Sequence, residues 1–310
     1  MRILVTGGAG FIGSHVVDAY IDEGHDVVVV DNLHTGKRAN VNPKARFYHV
    51  DIRDVNALKR VFEEERPEVI SHQAALANVR ESMEKPAEYA EVNVIGSLHL
   101  LELARAHGVR KVIYASTGGA VYGEPEFLPV TEDHPIRPLD NYGASKHAVE
   151  HFLFLYKHNY GLDYTILRYP NVYGPRQDPL GEAGVIAIFT GRMLKGMECI
   201  INGSGEQQRD FLYVGDVARA NVLALDRGSG GIYNLGWGKG VDINSLFRAL
   251  AEVVGYDKPP VYGPPKLGEV FRVYLDASKA RAELGWEPTV PLEEGLALTV
   301  AYFRNSETSD

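Results

Sequence analysis

The chain holds a single cysteine, Cys199, in 310 residues. One thiol closes no intramolecular disulfide, and no Cys/His set has zinc-ligand spacing, so neither a disulfide scaffold nor a metal centre is expected. Basic residues are in deficit: 32 Lys and Arg stand against 41 Asp and Glu, a net charge of −9. That is the wrong sign for neutralising nucleic-acid phosphates. No apolar run approaches the ~20 residues of a membrane helix, and the first apolar run starts at residue 2, which leaves no room for a signal peptide. Internal repeats and low-complexity segments are lacking too. These absences point to a cytoplasmic protein without nucleic-acid, membrane or metal partners, and the length suffices for two lobes.

What is present is glycine at chosen places. Val5-Thr6-Gly7-Gly8-Ala9-Gly10-Phe11-Ile12-Gly13 joins an apolar run, Arg2-Ile3-Leu4-Val5, to a helix-like run ending at Glu23. The pattern predicts a strand, a turn and a helix start. Gly7 suits the turn, Gly10 lets a backbone approach a pyrophosphate, and Gly13 allows close helix–strand packing. The helix N-terminus, with Phe11 and Ile12 in its first turn, offers N–H groups and the positive end of its dipole to phosphates. A second strand, Asp26-Val27-Val28-Val29-Val30, ends in Asp31, at the ~20-residue distance of an acid that binds an adenosine ribose. A carboxylate there accepts the ribose hydroxyls and repels a 2′-phosphate, which favours NAD. Lys37 and Arg38 nearby leave NADP open.

The loop after Asp31 carries Asn32, Leu33, Thr35 and Gly36, assigned with it to the cofactor. A third strand, Arg46-Phe47-Tyr48-His49-Val50, ends in Asp51-Ile52. Either these two hold an adenine, or Asp51 caps the helix expected over residues 55–65. A fourth strand, residues 68–72, leads into Gln73-Ala74-Ala75, small enough for a cofactor to approach, and His72 reads as a packed histidine. Apolar residues at helical spacing predict one long helix over residues 86–107, with Asn93 on it. The fifth strand carries Ala115 and ends in Ser116-Thr117-Gly118-Gly119.

Asp140-Asn141-Tyr142-Gly143-Ala144-Ser145-Lys146 opens a helix to about residue 160, with Tyr142 and Lys146 one turn apart on one face. A phenol of pKa ~10 is a poor base at neutral pH. An ammonium group and a cationic nicotinamide beside it favour the phenolate. A sixth strand runs to Tyr169. The alternation predicts an α/β fold, a doubly wound parallel sheet with ligands at the carboxyl ends of its strands. Residues 1–168 are expected to form the dinucleotide-binding domain, rejoined by residues 211–234. Residues 169–310 are expected to form a smaller α/β substrate lobe, including a strand over residues 209–214 and a tail with helices near 243–254, 278–284 and 292–304.

Together, the glycine turn, Asp31-Asn32-Leu33, Asp51-Ile52-Arg53-Asp54, Tyr142-Gly143-Ala144-Ser145-Lys146 and Arg168-Tyr169-Pro170-Asn171-Val172-Tyr173-Gly174-Pro175-Arg176-Gln177 resemble the extended short-chain dehydrogenase/reductase family of nucleotide-sugar enzymes, and the resemblance spans nearly the whole chain. It implies a Rossmann domain with bound NAD, and it is strongest for members that invert C4 of a UDP-hexose through a 4-keto intermediate. Tyr142 would take the proton of the sugar 4-hydroxyl and Lys146 would hold the nicotinamide ribose. Gln73, Ala74, Ala75, Asn93, Ala115 and Tyr169 would complete the cofactor site. Thr117, Gly118, Tyr142, Asn171, Val185, Ile186, Asn202, Arg209, Lys266 and Glu269 would bind the nucleotide sugar, and Val273 would line the sugar pocket.

Relatives carry a serine or threonine at the position of Gly118, so the hydroxyl is expected from Thr117, with Ser116 in reserve. Gly119-Ala120 replaces the acid pair of sugar-dehydrating members. Val273, smaller than the tyrosine of some relatives, leaves room for an N-acetyl group. Relatives often pair through two long helices, which makes a homodimer through residues 86–107 and 144–160 one expectation and a monomer the other. Open alternatives are a UDP-glucuronate epimerase or decarboxylase, a nucleotide-sugar reductase, and a non-catalytic NAD-sensing regulator.

Overall fold

The computed structural model describes residues 1–179, 184–265 and 270–307. In the first half, β1 (Arg2–Thr6), β2 (Asp26–Asp31), β3 (Arg46–His49), β4 (Val69–His72), β5 (Lys111–Thr117) and β6 (Asp163–Tyr169) alternate with helices. These are α1 (Phe11–Asp22), α2 (Val55–Glu65), α3 (Val79–Glu84), α4 (Pro86–Tyr89), α5 (Gly96–Ala106) and α6 (Asn141–Tyr160). The second half adds β7 (Asn171–Tyr173), α7 (Val185–Leu194), β8 (Ile200–Asn202), β9 (Gln208–Arg209), β10 (Phe211–Tyr213), α8 (Val214–Ala224) and β11 (Gly231–Asn234). It ends with β12 (Val241–Asp242), α9 (Ile243–Val254), β13 (Val261–Gly263), β14 (Arg272–Val273) and α10 (Leu292–Glu307).

Seven strands form one sheet in the order β11-β6-β5-β4-β1-β2-β3, and every pairing in it is parallel. Parallel strands covered on both faces read as unbroken apolar runs, which explains the four valines of β2. Ile3, Val5, Val27 and Val29 pack on one face against α1 and α8. Leu4, Val28, Val30 and Ile70 pack on the other against α2, α5 and α6. The chain moves outward in opposite directions from β1, so a crevice forms at the carboxyl ends of β1 and β4.

The remainder holds three small sheets, β10-β7, β12-β9-β14 and β13-β8, around a separate core that includes Phe189, Leu246, Phe247, Leu296 and Val300. Three elements differ from expectation. The strand over residues 209–214 is two pieces, because Asp210 turns its carboxylate onto the backbone N–H groups of Trp237, Gly238 and Leu275. The helix over residues 86–107 is interrupted by a π-helical stretch, Ala90–Ile95, whose wider turn carries the buried Asn93. Ala277, Ala280, Leu284 and Trp286, expected with the tail in the smaller lobe, pack into the core shared by α1 and α8.

Candidate active site

The carboxyl ends of β1, β2, β4, β5 and β6 open into one cleft of about 770 Å³, within the ~300–1,000 Å³ of small-molecule and cofactor sites. Gly7, Gly10, Phe11, Ile12 and Gly13 line one end, and Asp31, Asn32, Thr35, Gly36, Asp51 and Ile52 the adjoining wall. Gln73, Ala74, Ala75, Ala115 and Tyr169 line the rest of the floor, with Thr117, Tyr142, Lys146 and Asn171 above.

The glycine turn fits a pyrophosphate. Gly7 has φ +71°, and a Cβ there would lie 2.7 Å from Ala74 N, while one on Gly13 would lie 2.1 Å from Gly7 O. Gly10 caps α1 with no side-chain hydrogen bond, which leaves the first-turn N–H groups to a ligand. Asp31 is 8% exposed. Its carboxylate accepts from Ala9 N at 3.0 Å and Leu33 N at 2.7 Å, so the turn and the acid are one unit. The basic residues that left NADP open are engaged elsewhere, Lys37 with Asp178 at 3.3 Å and Arg38 over the Phe47 ring at 4.4 Å. Asp51 does not cap α2. Asp54 does, accepting from Ala57 N, while Asp51 takes Asn32 Nδ2 and the Arg53 guanidinium, which hold its carboxyl well below the usual range.

Thr117 ends β5, and Tyr142 and Lys146 sit in the first turns of α6, whose N-cap Asp140 accepts from Gly143 N at 2.7 Å. Gly143 lets α6 abut the loop after β5, since a Cβ there would stand 2.7 Å from Ala120 O. Lys146 is 3% exposed, with Nζ 4.3 Å from the Tyr114 ring centroid. Burial brings its pKa down to about 7, opposed by the Glu150 carboxylate one turn along the same face. The Thr117 hydroxyl has no protein hydrogen-bond partner among the described residues. Ser116, in reserve for the same role, is committed instead: it donates to Glu150 at 2.5 Å.

Glu150 also receives Arg168 Nε and Nη2, and Arg168 Nη1 donates to Tyr122 Oη at 2.7 Å, which donates to Asn234. Burial works to raise the Glu150 pKa, but the hydrogen bonds from Arg168 and then His147, with the Arg168 charge, hold it down to about 2. The sequence carries one local sign of this network: Glu150 stands four residues after Lys146, and that spacing alone puts it on the Tyr142–Lys146 face. Arg176 and Gln177 line the cleft without having been assigned a role. Arg176 pairs with Asp18 at 2.7 Å, His15 meets Pro175 O at 2.9 Å, and with Lys37 and Asp178 these contacts tie residues 175–178 to α1 and the loop after β2.

Other expected residues fall outside the cleft lining. Asn93 commits its amide to both backbone groups of Leu76 and to Ser145, and so fixes a loop. Leu33 packs against the sheet core. Gly118 faces Leu275, and Val273 is buried with Val121, Tyr122, Val130 and Leu275. Val185 and Ile186 open α7 but turn into the smaller core, as apolar residues on an inward helix face do. Asn202 ends β8, and Arg209 lies beside Val273 in parallel register. Lys266 and Glu269 lie outside the described residues. His72 is packed, between Thr6 Oγ1 at 2.7 Å and Ser97 Oγ at 2.8 Å. Among the described residues no three or more His, Cys, Asp or Glu are placed to hold a metal, and no helix is long and apolar enough to cross a membrane.

A glycine turn shaped to admit a pyrophosphate and a buried acid at the switch point of a parallel sheet, with a tyrosine and a lysine one turn apart above them, fit a dinucleotide-dependent α/β enzyme. The family model described as "NAD dependent epimerase/dehydratase family" matches residues 3–236. A UDP-glucose 4-epimerase from Thermotoga maritima, solved with UDP-glucose, is 53% identical and covers 99% of this chain and 100% of its own, with TM-score 0.98. The Thermus thermophilus UDP-glucose 4-epimerase, solved with NAD, is 49% identical over 99% of this chain and 100% of its own, with TM-score 0.94. A UDP-N-acetylglucosamine 4-epimerase from Methanobrevibacter ruminantium M1 is 36% identical over 98% of each chain, with TM-score 0.93. The chain belongs to the NAD-dependent epimerase/dehydratase family, and its cofactor is NAD.

Proposed function

We propose that this chain is a cytoplasmic isomerase that inverts C4 of UDP-hexoses, interconverting UDP-glucose and UDP-galactose. The observation that carries the reading is the convergence of Thr117, Tyr142 and Lys146 on one cleft with the glycine turn and Asp31. NAD bound there supplies a hydride acceptor and, on return, a hydride donor. The protein's own part is proton handling and positioning. The sugar 4-hydroxyl passes its proton to Thr117 Oγ1 as Thr117 passes its own to the Tyr142 phenolate, and the return step reverses both transfers. Lys146, whose charged form the Glu150 carboxylate favours against the effect of burial, promotes the phenolate when protonated and would hold the ribose. Asn171, on the cleft lining, would bind the sugar or a phosphate, and Arg209, which lies outside that lining with Nη1 on Gln208 O and Phe271 O, would have to turn to reach the diphosphate. Lys266 would add a second cation and Glu269 would accept the uridine ribose.

The proposed division into an NAD-binding domain (residues 1–168 and 211–234) and a substrate lobe is supported by the separate cores, with Ala277, Ala280, Leu284 and Trp286 joining the first. Acceptance of the N-acetylated pair is supported by the UDP-N-acetylglucosamine 4-epimerase relative and not by Val273, which packs with Val121, Tyr122, Val130 and Leu275 away from the cleft lining. A second copy of the chain is the proposed partner of the α5–α6 face, where Phe154 and Tyr160 are 52% and 57% exposed. The test is turnover of UDP-galactose by purified protein with no added dinucleotide. Epimerisation under those conditions is expected, because NAD is regenerated in each cycle. A requirement for reduced cofactor would make the enzyme a reductase, and absence of turnover would leave a binding protein.

A further inference from the structure

The backbone at Gly118 is pinned. Its N–H donates to Tyr169 O at 2.8 Å, one step beyond the β5–β6 ladder that pairs Thr117 with Tyr169. A Cβ built on Gly118 would lie 2.3 Å from Leu275 Cδ1, 3.0 Å from Cδ2 and 3.2 Å from Cγ. A leucine tip normally swings away from such a contact, but this one has nowhere to go. Leu275 is 1% exposed and packed among Val121, Tyr122, Val130 and Val273. Its backbone is held too: Leu275 N donates to Asp210 Oδ2 at 3.2 Å, and on either side Val130 N reaches Tyr274 O and Asp276 N reaches Val130 O. Of the three residues at this strand end, Ser116 has committed its hydroxyl to Glu150 and position 118 has no room for a side chain.

We propose that Leu275 is a positioning residue that bars any side chain from position 118 and so fixes the proton-transfer hydroxyl at Thr117. The idea rests on the assignment of Thr117 given above. It also makes position 275, far along the chain, the element that determines which residue of the strand end hands over the proton. Relieving the contact while moving the hydroxyl should transfer the role.

The test uses UDP-galactose turnover in the NAD-loaded enzyme. Thr117→Val alone is expected to lose about 10²-fold in kcat, the size of one proton-transfer group. Gly118→Ser added to it should recover nothing while Leu275 is in place. Adding Leu275→Ala as well should recover at least about tenfold of that loss. Equal rescue by Gly118→Ser with and without Leu275→Ala would overturn the proposal, as would a folded, NAD-loaded triple variant with no gain. Unaffected turnover in Thr117→Val would instead remove the Thr117 assignment and the proposal built on it. The steric part has its own readout, which serves if the triple variant does not fold. Gly118→Ala should lower the thermal midpoint of the parent and leave that of Leu275→Ala unmoved, and an equal drop in both backgrounds would show that Leu275 does not occupy the site.

Discussion

Glu150 and Arg168 form a two-point ion pair between α6 and β6: Arg168 Nε reaches Oε1 at 2.9 Å and Nη2 reaches Oε2 at 2.6 Å, with side chains 2% and 3% exposed. Removing one partner of such a pair strands a buried charge, whereas removing both takes the two charges away together and leaves Ser116 and Tyr122 each one hydrogen bond short. Glu150→Gln is therefore expected to lower stability by about 3–5 kcal/mol in urea unfolding. Glu150→Met with Arg168→Met should lose much less than the sum of the single changes. Additive losses would mean that the two charges are satisfied independently.

Tyr142→Phe keeps the ring and removes the phenol. Turnover of UDP-galactose should fall about 10²–10⁴-fold while the protein retains NAD through purification. Parental turnover by a folded, loaded variant would exclude Tyr142 as the proton acceptor.

His72 gives a pH dependence that does not involve the sugar. Burial, and then the Lys146 charge, hold its folded pKa down to about 3, against ~6.5 in the unfolded chain. The folded state therefore excludes a proton that the unfolded state binds. Stability from keeping the ring neutral is fully present above ~pH 6.5 and is lost as the pH falls toward the folded value, by about 1.4 kcal/mol per unit. His72→Gln should flatten the fall in unfolding free energy between about pH 6.5 and 4 relative to the parent. Parallel curves would show that His72 is protonated in the native state.

Asp31 is the residue proposed to set the cofactor preference. Its carboxylate holds the glycine turn and lines the cleft, so on that proposal Asp31→Asn should weaken NAD retention about tenfold, the cost of one charged hydrogen bond. Dinucleotide released on heating, per mole of protein, measures this. Full occupancy in the variant would place the ribose elsewhere.

The glycine turn, Asp31 and the Tyr142–Lys146 pair were legible because each depends on spacing within one strand, turn or helix, where geometry is local. The π-helical stretch was hidden for the opposite reason: the apolar spacing across it reads as one ordinary helix, while the contacts of Asn93 are made to Leu76 and Ser145 on other segments. Arg209-Asp210-Phe211 reads as a continuous strand until one knows that Asp210 meets N–H groups from two distant segments. The Arg168–Tyr122–Asn234 network joins residues 46 and 112 positions apart, a distance over which no local pattern extends. Val185 and Ile186 read ambiguously, because an apolar residue at a helix start serves a pocket wall and a core equally well by composition, and here both pack toward the smaller core.

The strap of residues 175–178 joins the two banks of the cleft largely by charge, and charge answers to ionic strength. Lys37 and Asp178 are 59% and 38% exposed, so dissolved ions reach them within a screening length of ~10 Å at 0.1 M. Salt then loosens the mouth of the cleft without disturbing the buried floor on which Tyr142 and Lys146 stand. Exchange of resident NAD for labelled NAD should quicken as salt is raised, while each loaded molecule turns sugar over at its former pace.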